Sequence, residues 1–231
     1  MITTIKIGFH TNQLSERGTE VALFDYAYYN QKLYNNKSII FYCKKSKNND
    51  KYVIEKFNKC FKLYAYNDFS EIDTIIEEES IDYFYNIHSG DYHSSKLVSK
   101  CPNLIHAVFN IEPHGDRYAA ISEYLANKYE QNVQSTIQHL VGVVPHMINL
   151  PINDNLKNSN LREMLGIPKD AIVIGRYGGI DQFNIKEVIE GIQIILDTAT
   201  DNKPYFLFAN TKPFSQHKNI FYLQKIIDLE M

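Results

Sequence analysis

The sequence predicts an α/β protein, in which a Rossmann-like parallel sheet with flanking helices is followed by an incomplete second Rossmann-like unit. Strand-like apolar runs alternate with segments of helical periodicity, and this alternation favours parallel α/β layers. Of the 231 residues, 44% are hydrophobic and 22% are charged, as in globular proteins with a substantial core. No apolar run reaches the roughly 18 residues that a transmembrane helix needs, and no signal peptide precedes the first strand-like run.

The first unit contains seven predicted strands and four predicted helices. Val21, Phe24 and Tyr28 recur at helical spacing in the first helix. Asp68 and Ser122 are predicted to cap the N-termini of the third and fourth helices. The predicted strands cover residues 5–10, 38–43, 61–66, 82–88, 104–109, 119–122 and 141–145. The predicted helices cover residues 17–34, 50–60, 69–79 and 123–130.

The second unit is predicted to begin after a linker at residues 149–159, which holds Pro151 and four asparagines. This places one domain at residues 1–157 and another at 158–231. A short helix at 161–165, a strand at 171–177, a helix at 185–199 and strands at 205–209 and 220–223 follow. Two and a half strands are too few to bury both faces of a parallel sheet, so the second unit is predicted to be incomplete.

The composition argues against several classes of function. Twenty-four basic and 27 acidic residues give a net charge of −3, without an overall attraction to nucleic acid or to anionic membranes. The lysines at 44, 45 and 47 are interpreted as solvated side chains. The three cysteines are widely spaced and form no CxxC pair, which predicts reduced thiols and a cytoplasmic location. The histidines form no HxxxH or HxH pair, so neither a metal nor another cofactor is predicted.

A diphosphate site is predicted where the strand at 171–177 meets the following helix. Arg176 carries a permanent positive charge and can donate to two phosphate oxygens at once. Gly178 and Gly179 let the main chain approach a ligand without a Cβ atom. The next strand is followed by residues expected to line the same crevice, Asn210, Thr211 and Lys212. The alternative is a turn with an exposed arginine.

The ends of the first unit's strands hold the other candidate residues. The loop after the first strand is polar and opens a helix, which suits either a hydroxyl-rich or anionic ligand or simply a capped helix start. The acceptor-side candidates here and at the end of the fourth strand are His10, Asn12, Gly18, Thr19 and His88. His106 and His114 are candidates for a base or for hydrogen bonding to a substrate hydroxyl. For each histidine, a satisfied structural role is the alternative.

The chain resembles glycosyltransferases of the two-Rossmann type B fold, and most closely the retaining family-4-like group. Four segments carry this resemblance, at residues 106–110, 113–125, 144–151 and 175–179. It implies that the first domain binds a glycan or small-molecule acceptor and the second a nucleoside-diphosphate sugar. It also implies that Arg176, Gly178 and Gly179 stabilise the departing diphosphate. His106, His114, Gly18 and Thr19 would face the acceptor or the transferred sugar, without a metal.

The chain departs from the pattern of that group at two points. The group usually has a lysine several residues after the arginine, whereas this chain has residues 181–184 there and Lys186 on the predicted helix. The glutamate pair that holds the donor would lie beyond residue 231. We therefore expect a truncated or split enzyme with weak activity on its own, completed by a complementing chain or a homo-oligomer. The alternatives are a non-catalytic module that binds a glycan or a partner chain, and an epimerase or dehydrogenase, which the missing glycine-rich spacing disfavours.

Overall fold

The computed structural model of the chain describes residues 4–130, 142–147, 161–178, 183, 185–198 and 203–223, with the side chains of 128–130 left aside. The chain divides into two compact units, Met1–Asn149 and Leu150–Met231. The predicted linker and the predicted boundary at 157/158 lie outside the described residues.

The first unit is a seven-stranded parallel sheet with the strand order β3-β2-β1-β4-β5-β6-β7. The strands are β1 (Lys6–Thr11), β2 (Lys37–Cys43), β3 (Lys62–Tyr66), β4 (Tyr83–His88), β5 (Asn103–Ala107), β6 (Arg117–Ala120) and β7 (Gly142–Val143). The helices are α1 (Gly18–Tyr34), α2 (Lys51–Cys60), α3 (Glu71–Glu79) and α4 (Glu123–Glu130). The chain moves outward from β1 to β3 and then returns to the other side of β1. The loops after β1 and β4 therefore lie at the topological switch point.

The helices α1 and α2 pack on one face of this sheet and α3 packs on the other. Side chains alternate between the two faces along a strand. In β2, Ile39 and Phe41 are buried in one core with Ile72 and Ile76 of α3. The intervening Ile40 is fully buried and points to the opposite face. On that face, the Phe24 ring of α1 lies 5.1 Å from the Phe57 ring of α2, which ties the two helices together.

The local cap at Asp68 differs from its prediction. The helix α3 begins at Glu71 rather than at residue 69. The Asp68 carboxylate accepts from the Ser70 N–H at 2.9 Å and from the Ser70 hydroxyl at 2.7 Å, so it closes the turn before the helix. The Glu71 side chain in turn accepts the Asp68 N–H at 3.0 Å. By contrast, Ser122 accepts the Leu125 N–H at 3.3 Å and caps α4 as predicted.

Most observed strands begin or end one or two residues away from their predicted bounds. β5 covers 103–107 instead of 104–109, and β6 covers 117–120 instead of 119–122. β6 begins at Arg117 instead of 119, because Asp116 forms hydrogen bonds with the first residue of the neighbouring strand β5. Its carboxylate accepts the Asn103 N–H at 2.7 Å, and its own N–H donates to the Asn103 carbonyl at 3.0 Å. This pairing fixes the register of the two strands.

The second unit holds a smaller parallel sheet with the order β10-β9-β8. Its elements are α5 (Leu161–Met164), β8 (Val173–Tyr177), α6 (Lys186–Thr198), β9 (Tyr205–Ala209) and β10 (Ile220–Leu223). Ile192 and Leu196 of α6 pack on Phe206, Phe208 and Ile220 of the sheet. The order repeats that of β3-β2-β1 in the first unit. The structure thus confirms the predicted fold class, with three complete strands in place of two and a half.

Within the described ranges, no helix combines the length and the apolar character required to cross a lipid bilayer.

Gly90 joins the loop after β4 to the loop after β5. Its φ is +105°, and a Cβ atom added there would lie 1.9 Å from the Asn110 carbonyl oxygen. The Tyr118 hydroxyl donates to the Gly90 carbonyl at 3.0 Å, while the Asn110 N–H donates to the Ser89 carbonyl at 2.7 Å. Only glycine therefore fits this close approach of two main chains.

We expect Gly90→Ala to lower the free energy of unfolding by several kcal/mol, because about 1–3 kcal/mol of backbone strain adds to the steric overlap. Urea unfolding followed by circular dichroism measures this. Gly18→Ala is the matched control, since nothing lies within 4 Å of a Cβ atom at that helical position. The control should be neutral or stabilising by up to about 1 kcal/mol. Equal stability of the two variants would contradict the packing described for Gly90.

Candidate functional site

The loop after β1 is organised around a buried carboxylate. Glu20, in the first turn of α1, is 3% exposed. Its carboxylate accepts hydrogen bonds from the hydroxyls of Thr11, Ser15 and Thr19, each at 3.0 Å. Burial raises the pKa of Glu20, and the three hydroxyl donors oppose that rise. The carboxylate already lies at a helix N-terminus, where an anionic ligand would otherwise bind. The loop therefore suits a neutral, hydroxyl-bearing ligand better than a phosphate.

Three acceptor-side candidates belong to this loop. Thr19 is half-buried and engaged with Glu20, whereas Asn12 and Gly18 are exposed. Gly18 is the first residue of α1. A ligand that reaches this edge can contact Asn12 and the main chain at Gly18 without displacing a packed side chain. Their predicted contact with an acceptor stays a prediction.

His10 is buried at the centre of the sheet. Its Nδ1–H donates to the Asn86 side-chain oxygen at 3.0 Å, because that oxygen can only accept. Its Nε2 accepts from the Tyr66 hydroxyl at 2.7 Å. Burial lowers the pKa of His10 to about 4, so the ring is neutral at pH 7. Both nitrogens are engaged within the core, and this geometry favours the structural alternative for His10.

His88 and His114 face each other across the loops that follow β4 and β5, with ring centroids 5.5 Å apart. The Nδ1 of His88 accepts the Gly90 N–H at 3.0 Å, and its Nε2 lies 3.3 Å from the Ser95 hydroxyl oxygen. Burial, with a smaller contribution from His114, lowers the pKa of His88 to about 4. His88 is therefore a neutral residue that holds its own loop.

His114 has an unfilled acceptor. Its Nδ1–H donates to the Glu112 carbonyl at 2.5 Å, which leaves the lone pair on Nε2. This Nε2 is buried and has no hydrogen-bond partner among the described residues. The ring is half-buried and packs against the Tyr118 ring at 5.4 Å between centroids. Of the predicted histidines, His114 has the geometry best suited to accept a hydrogen bond from a ligand hydroxyl.

The loops that carry His88 and His114 are fixed by hydrogen bonds. Asp91 accepts from the Ser89 hydroxyl and from the Asn110 amide, both at 2.7 Å. The Ser89 bond is the main reason that the pKa of Asp91 is lowered. The Glu112 carboxylate accepts the Tyr92 N–H at 2.7 Å and so joins the two loops. The site is held in shape before any ligand binds.

His106 holds the segment that leads out of the first unit. It is 1% exposed, its Nδ1 accepts from the Tyr85 hydroxyl at 2.5 Å, and its Nε2–H donates to the Val144 carbonyl at 2.8 Å. The Tyr26 hydroxyl donates to the next carbonyl, that of Pro145, at 2.7 Å. Burial lowers the pKa of His106 to about 4. A catalytic role stays a prediction, and the two occupied ring nitrogens favour a structural one.

Arg176 brings the predicted donor-binding residues of the second unit together. It is the fourth residue of β8 and lies within the strand predicted at 171–177. Its Nη1 donates to the Thr211 hydroxyl oxygen at 2.6 Å, and its guanidinium lies 5.0 Å from the centre of the Phe183 ring. A Cβ atom at Gly178 would approach Nη2 to 2.6 Å, so the guanidinium folds across this glycine.

The residues after β9 complete this edge of the second sheet. The Thr211 hydroxyl donates to the Ala209 carbonyl at 3.2 Å, which leaves its oxygen to accept from Arg176. Asn210 is buried and adopts a positive φ of 52°, which makes the turn after β9. Lys212, the residue after Thr211, is exposed. Gly179 lies outside the described residues.

A cavity of about 540 Å³ lies at the opposite edge of the second sheet. It is lined by Asp170, Lys203, Tyr205, Lys218 and Asn219, among others. These residues surround the amino ends of β8, β9 and β10. Ligands of open parallel sheets bind at the carboxyl ends of the strands, so this rule favours the Arg176 edge over this cavity.

The remaining reactive groups give no further site. Among the described residues, no three His, Cys, Asp or Glu side chains are grouped as a metal site requires. The three cysteines carry free thiols. Burial raises the pKa of the Cys101 thiol to about 11, which is unsuited to a nucleophile.

Sequence patterns did not reveal several residues that shape these sites. These patterns single out none of five residues that matter here: Glu20, Tyr26, Tyr85, His146 and Phe183. A glutamate in the first turn of a helix is ordinarily exposed, so nothing indicated its burial. The partners of Tyr26 and Tyr85 are distant in sequence, at 119 and 21 residues. His146 packs 5.9 Å from the His106 ring, and its Nδ1 is buried without a partner among the described residues.

The comparisons with known proteins support the fold alone. No family model matches the sequence, and no curated protein matches it. Among solved structures, the chain is similar to a UDP-N-acetylglucosamine 2-epimerase from Rickettsia bellii, with a TM-score of 0.54 and 12% sequence identity. The likeness covers 96% of this chain and 69% of that one. It agrees with the Rossmann-like parallel sheets described above.

The buried His10 predicts a pH-dependent stability. Its pKa is about 4 in the folded chain and 6.5 ordinarily, so between these values the unfolded chain binds a proton that the folded chain does not. Stability is therefore highest above pH 6.5 and falls as the pH decreases toward 4. One such histidine lowers the free energy of unfolding by about 2 kcal/mol between pH 7.5 and pH 5.

His10→Gln should reduce the pH dependence of unfolding by about this amount, because the titrating group is removed while His88 and His106 remain. Urea unfolding at the two pH values measures the difference. His93→Gln is the matched control, since His93 is exposed, and it should keep the dependence of the parent chain. The prediction fails if His10→Gln shows the same loss of stability on acidification as the parent.

Proposed function

We propose that this chain binds a nucleoside-diphosphate sugar through Arg176 and contributes to transfer of the sugar to a hydroxyl-bearing acceptor. The proposal rests mainly on the position of the Arg176 guanidinium. It lies at the carboxyl edge of the second sheet, folded across Gly178 and hydrogen-bonded to Thr211. The resemblance to type B glycosyltransferases supports the same assignment. The structural neighbour from Rickettsia bellii is named for action on UDP-N-acetylglucosamine, which is also a sugar nucleotide.

The chemistry of the donor explains why an arginine belongs at this edge. When the bond between the sugar and the diphosphate breaks, negative charge grows on the departing diphosphate. A guanidinium held in place stabilises this charge more in the transition state than in the bound donor. Thr211 and the Phe183 ring fix the guanidinium orientation, so little side-chain freedom is lost on binding. Because Gly178 has no Cβ atom, the guanidinium can lie directly across the main chain there.

The first unit suits the acceptor because its loop after β1 already contains a negative charge. Glu20 with its three hydroxyl donors disfavours a phosphate there, and neutral polar groups lie at the surface beside the exposed Arg17. The Nε2 of His114 is the proposed acceptor of a hydrogen bond from a ligand hydroxyl. Asn12 and Gly18 are proposed as further contacts at the same edge of the first unit.

Two other functions are each favoured by one observation. The fold likeness to a UDP-N-acetylglucosamine 2-epimerase favours rearrangement of the bound sugar without an acceptor. The occupied ring nitrogens of His10 and His106 favour a module that binds a glycan or a partner without chemistry. Incubating the chain with UDP-sugars, with and without candidate acceptors, and identifying the products by NMR separates the three. Sugar transfer gives a new glycoside, and rearrangement gives an epimerised nucleotide sugar. A module that only binds leaves the substrate unchanged.

Arg176→Ala should weaken binding of nucleoside diphosphates by about 10- to 100-fold, since hydrogen bonds to a charged group contribute roughly 1.5–3 kcal/mol. Isothermal titration calorimetry with UDP, GDP and ADP measures the effect. Arg176→Lys should recover only part of the affinity, because it keeps the charge and loses the planar fork. The affinity for the corresponding nucleoside should not change.

Arg117→Ala is the matched control, since Arg117 is an exposed arginine of the first unit whose guanidinium donates to the Asp116 carbonyl. It should bind the diphosphates as the parent chain does. Unchanged affinity of Arg176→Ala, or an equal loss in Arg117→Ala, would exclude the proposed donor site.

His114→Gln should lower acceptor-dependent turnover by about 100-fold while donor affinity stays within about twofold, because the proton acceptor is lost and the donor site is not touched. Turnover is measured in the assay that gives glycoside product, and donor affinity by calorimetry. His93→Gln removes an exposed histidine from a neighbouring loop and should retain activity. A parallel loss in both variants would argue against the role of His114.

A further inference from the structure

The charge of the first unit is unevenly distributed along the sequence. Residues 32–62 hold nine lysines and two acidic residues, a net charge of +7, whereas the whole chain carries −3. The next segment, residues 63–95, holds eight acidic residues and no lysine or arginine. An asymmetry of this size within one folded unit indicates a surface that interacts with a charged partner.

The fold places the helices of the two segments on opposite faces of the sheet. The lysine-rich segment includes α2 and the last turn of α1, which pack together through Phe24 and Phe57. The acidic segment includes α3, which packs on the other face with Ile39 and Phe41 of β2. The outer surface of α2 with the last turn of α1 therefore holds four lysines and one glutamate, Glu55, whereas α3 holds five acidic residues, of which Glu77 and Glu79 pair with Lys100 and Lys62. We call the outer surface of α2 with the last turn of α1 the basic face.

The lysines of the basic face lie over aromatic rings at its surface. Lys32 lies 5.4 Å from the centre of the Tyr28 ring and Lys51 lies 4.6 Å from that of Tyr52. Lys56 lies 4.8 Å from the centre of the Phe24 ring. The stems of these side chains cover apolar surface while the ammonium groups stay at its rim, an arrangement that also suits the boundary between lipid headgroups and hydrocarbon.

Exposed apolar side chains accompany the lysines. Leu33 and Tyr34 at the end of α1 are 66% and 70% exposed, and Tyr52 at the start of α2 is 53% exposed. The Gln31 amide donates to the Cys60 carbonyl at 3.4 Å, so the end of α1 lies beside the end of α2. Lysines and apolar side chains together cover this one surface.

We propose that the basic face binds the surface of an anionic lipid bilayer. Positive charge attracts the headgroups, and Leu33, Tyr34 and Tyr52 enter the interface between headgroups and acyl chains. The acidic helix α3 on the opposite face is repelled, which orients the first unit on the bilayer. All nine basic residues of segment 32–62 are lysines, without the arginine forks that nucleic acids favour. The proposal does not depend on the function of the Arg176 site.

Flotation of the full chain with vesicles tests the proposal. The vesicles are phosphatidylcholine alone or phosphatidylcholine with about 30% phosphatidylglycerol, and binding to the second kind at low salt is expected. Raising the salt to about 0.5 M should release most of the protein, because the headgroup charge is then screened. The triple variant Lys51→Gln, Lys56→Gln, Lys59→Gln should partition about 100-fold more weakly, since each lysine contributes about fivefold.

The matched control is the triple variant Lys169→Gln, Lys186→Gln, Lys218→Gln, which makes the same change of charge at exposed positions of the second unit. It should retain binding. Circular dichroism checks that each variant is folded. A second variant, Lys32→Gln, covers the case in which α2 is disturbed, because Lys32 is exposed in the last turn of α1. This variant should also bind more weakly.

The apolar contribution is tested by Leu33→Ser with Tyr34→Ser, which keeps the charge and should weaken binding severalfold. Four results would overturn the proposal. They are no binding to anionic vesicles at low salt, equal binding to neutral vesicles, an equal loss of binding in the control triple variant, and binding to duplex DNA or single-stranded RNA in place of vesicles.

Discussion

The pairing of β1 with both β2 and β4 is the constraint on which the rest of the first unit depends. A strand that is paired on both sides and covered on both faces admits few polar side chains, and each needs a partner within the sheet. His10 meets this condition by joining Tyr66 of β3 and Asn86 of β4 across the strand order. Because the chain leaves β1 in one direction and returns on its other side, the loops after β1 and β4 become neighbours.

The two units place opposite charges at equivalent positions. The order β10-β9-β8 repeats β3-β2-β1, so β8 corresponds to β1. The helix after β1 begins with the buried Glu20 carboxylate, whereas β8 carries the Arg176 guanidinium near its carboxyl end. A helix N-terminus that already contains a carboxylate has little remaining attraction for phosphate. A guanidinium at a strand end attracts it. One topology thus supplies a neutral edge and a cationic edge without a change of fold.

The alternation of strands and helices could be predicted from the sequence because burial of one helix face or of a whole strand leaves a periodic pattern. The same holds for the approach of Arg176 and Thr211, since consecutive parallel strands end at one edge. The roles of His10 and His106 could not be predicted, because their partners lie up to 76 residues away. The start of α3 also could not be predicted from the sequence pattern. Asp68 accepts from Ser70 and Glu71 accepts from Asp68, so two side chains within three residues compete to cap the helix.

The net charge of the whole chain does not reveal how unevenly charge is distributed within the first unit. Segments 32–62 and 63–95 are adjacent in sequence and carry charges of +7 and −8, so they nearly cancel in any sum. In space they cancel only in part, at the pair of Lys62 with Glu79, because the crossing from β3 back to β4 moves α3 to the face opposite α2. Beyond a Debye length of about 8 Å, each face interacts with its surroundings largely on its own. An overall charge of −3 therefore argues against strong attraction of the whole molecule to an anionic surface. It does not exclude attraction of one face of the molecule to such a surface.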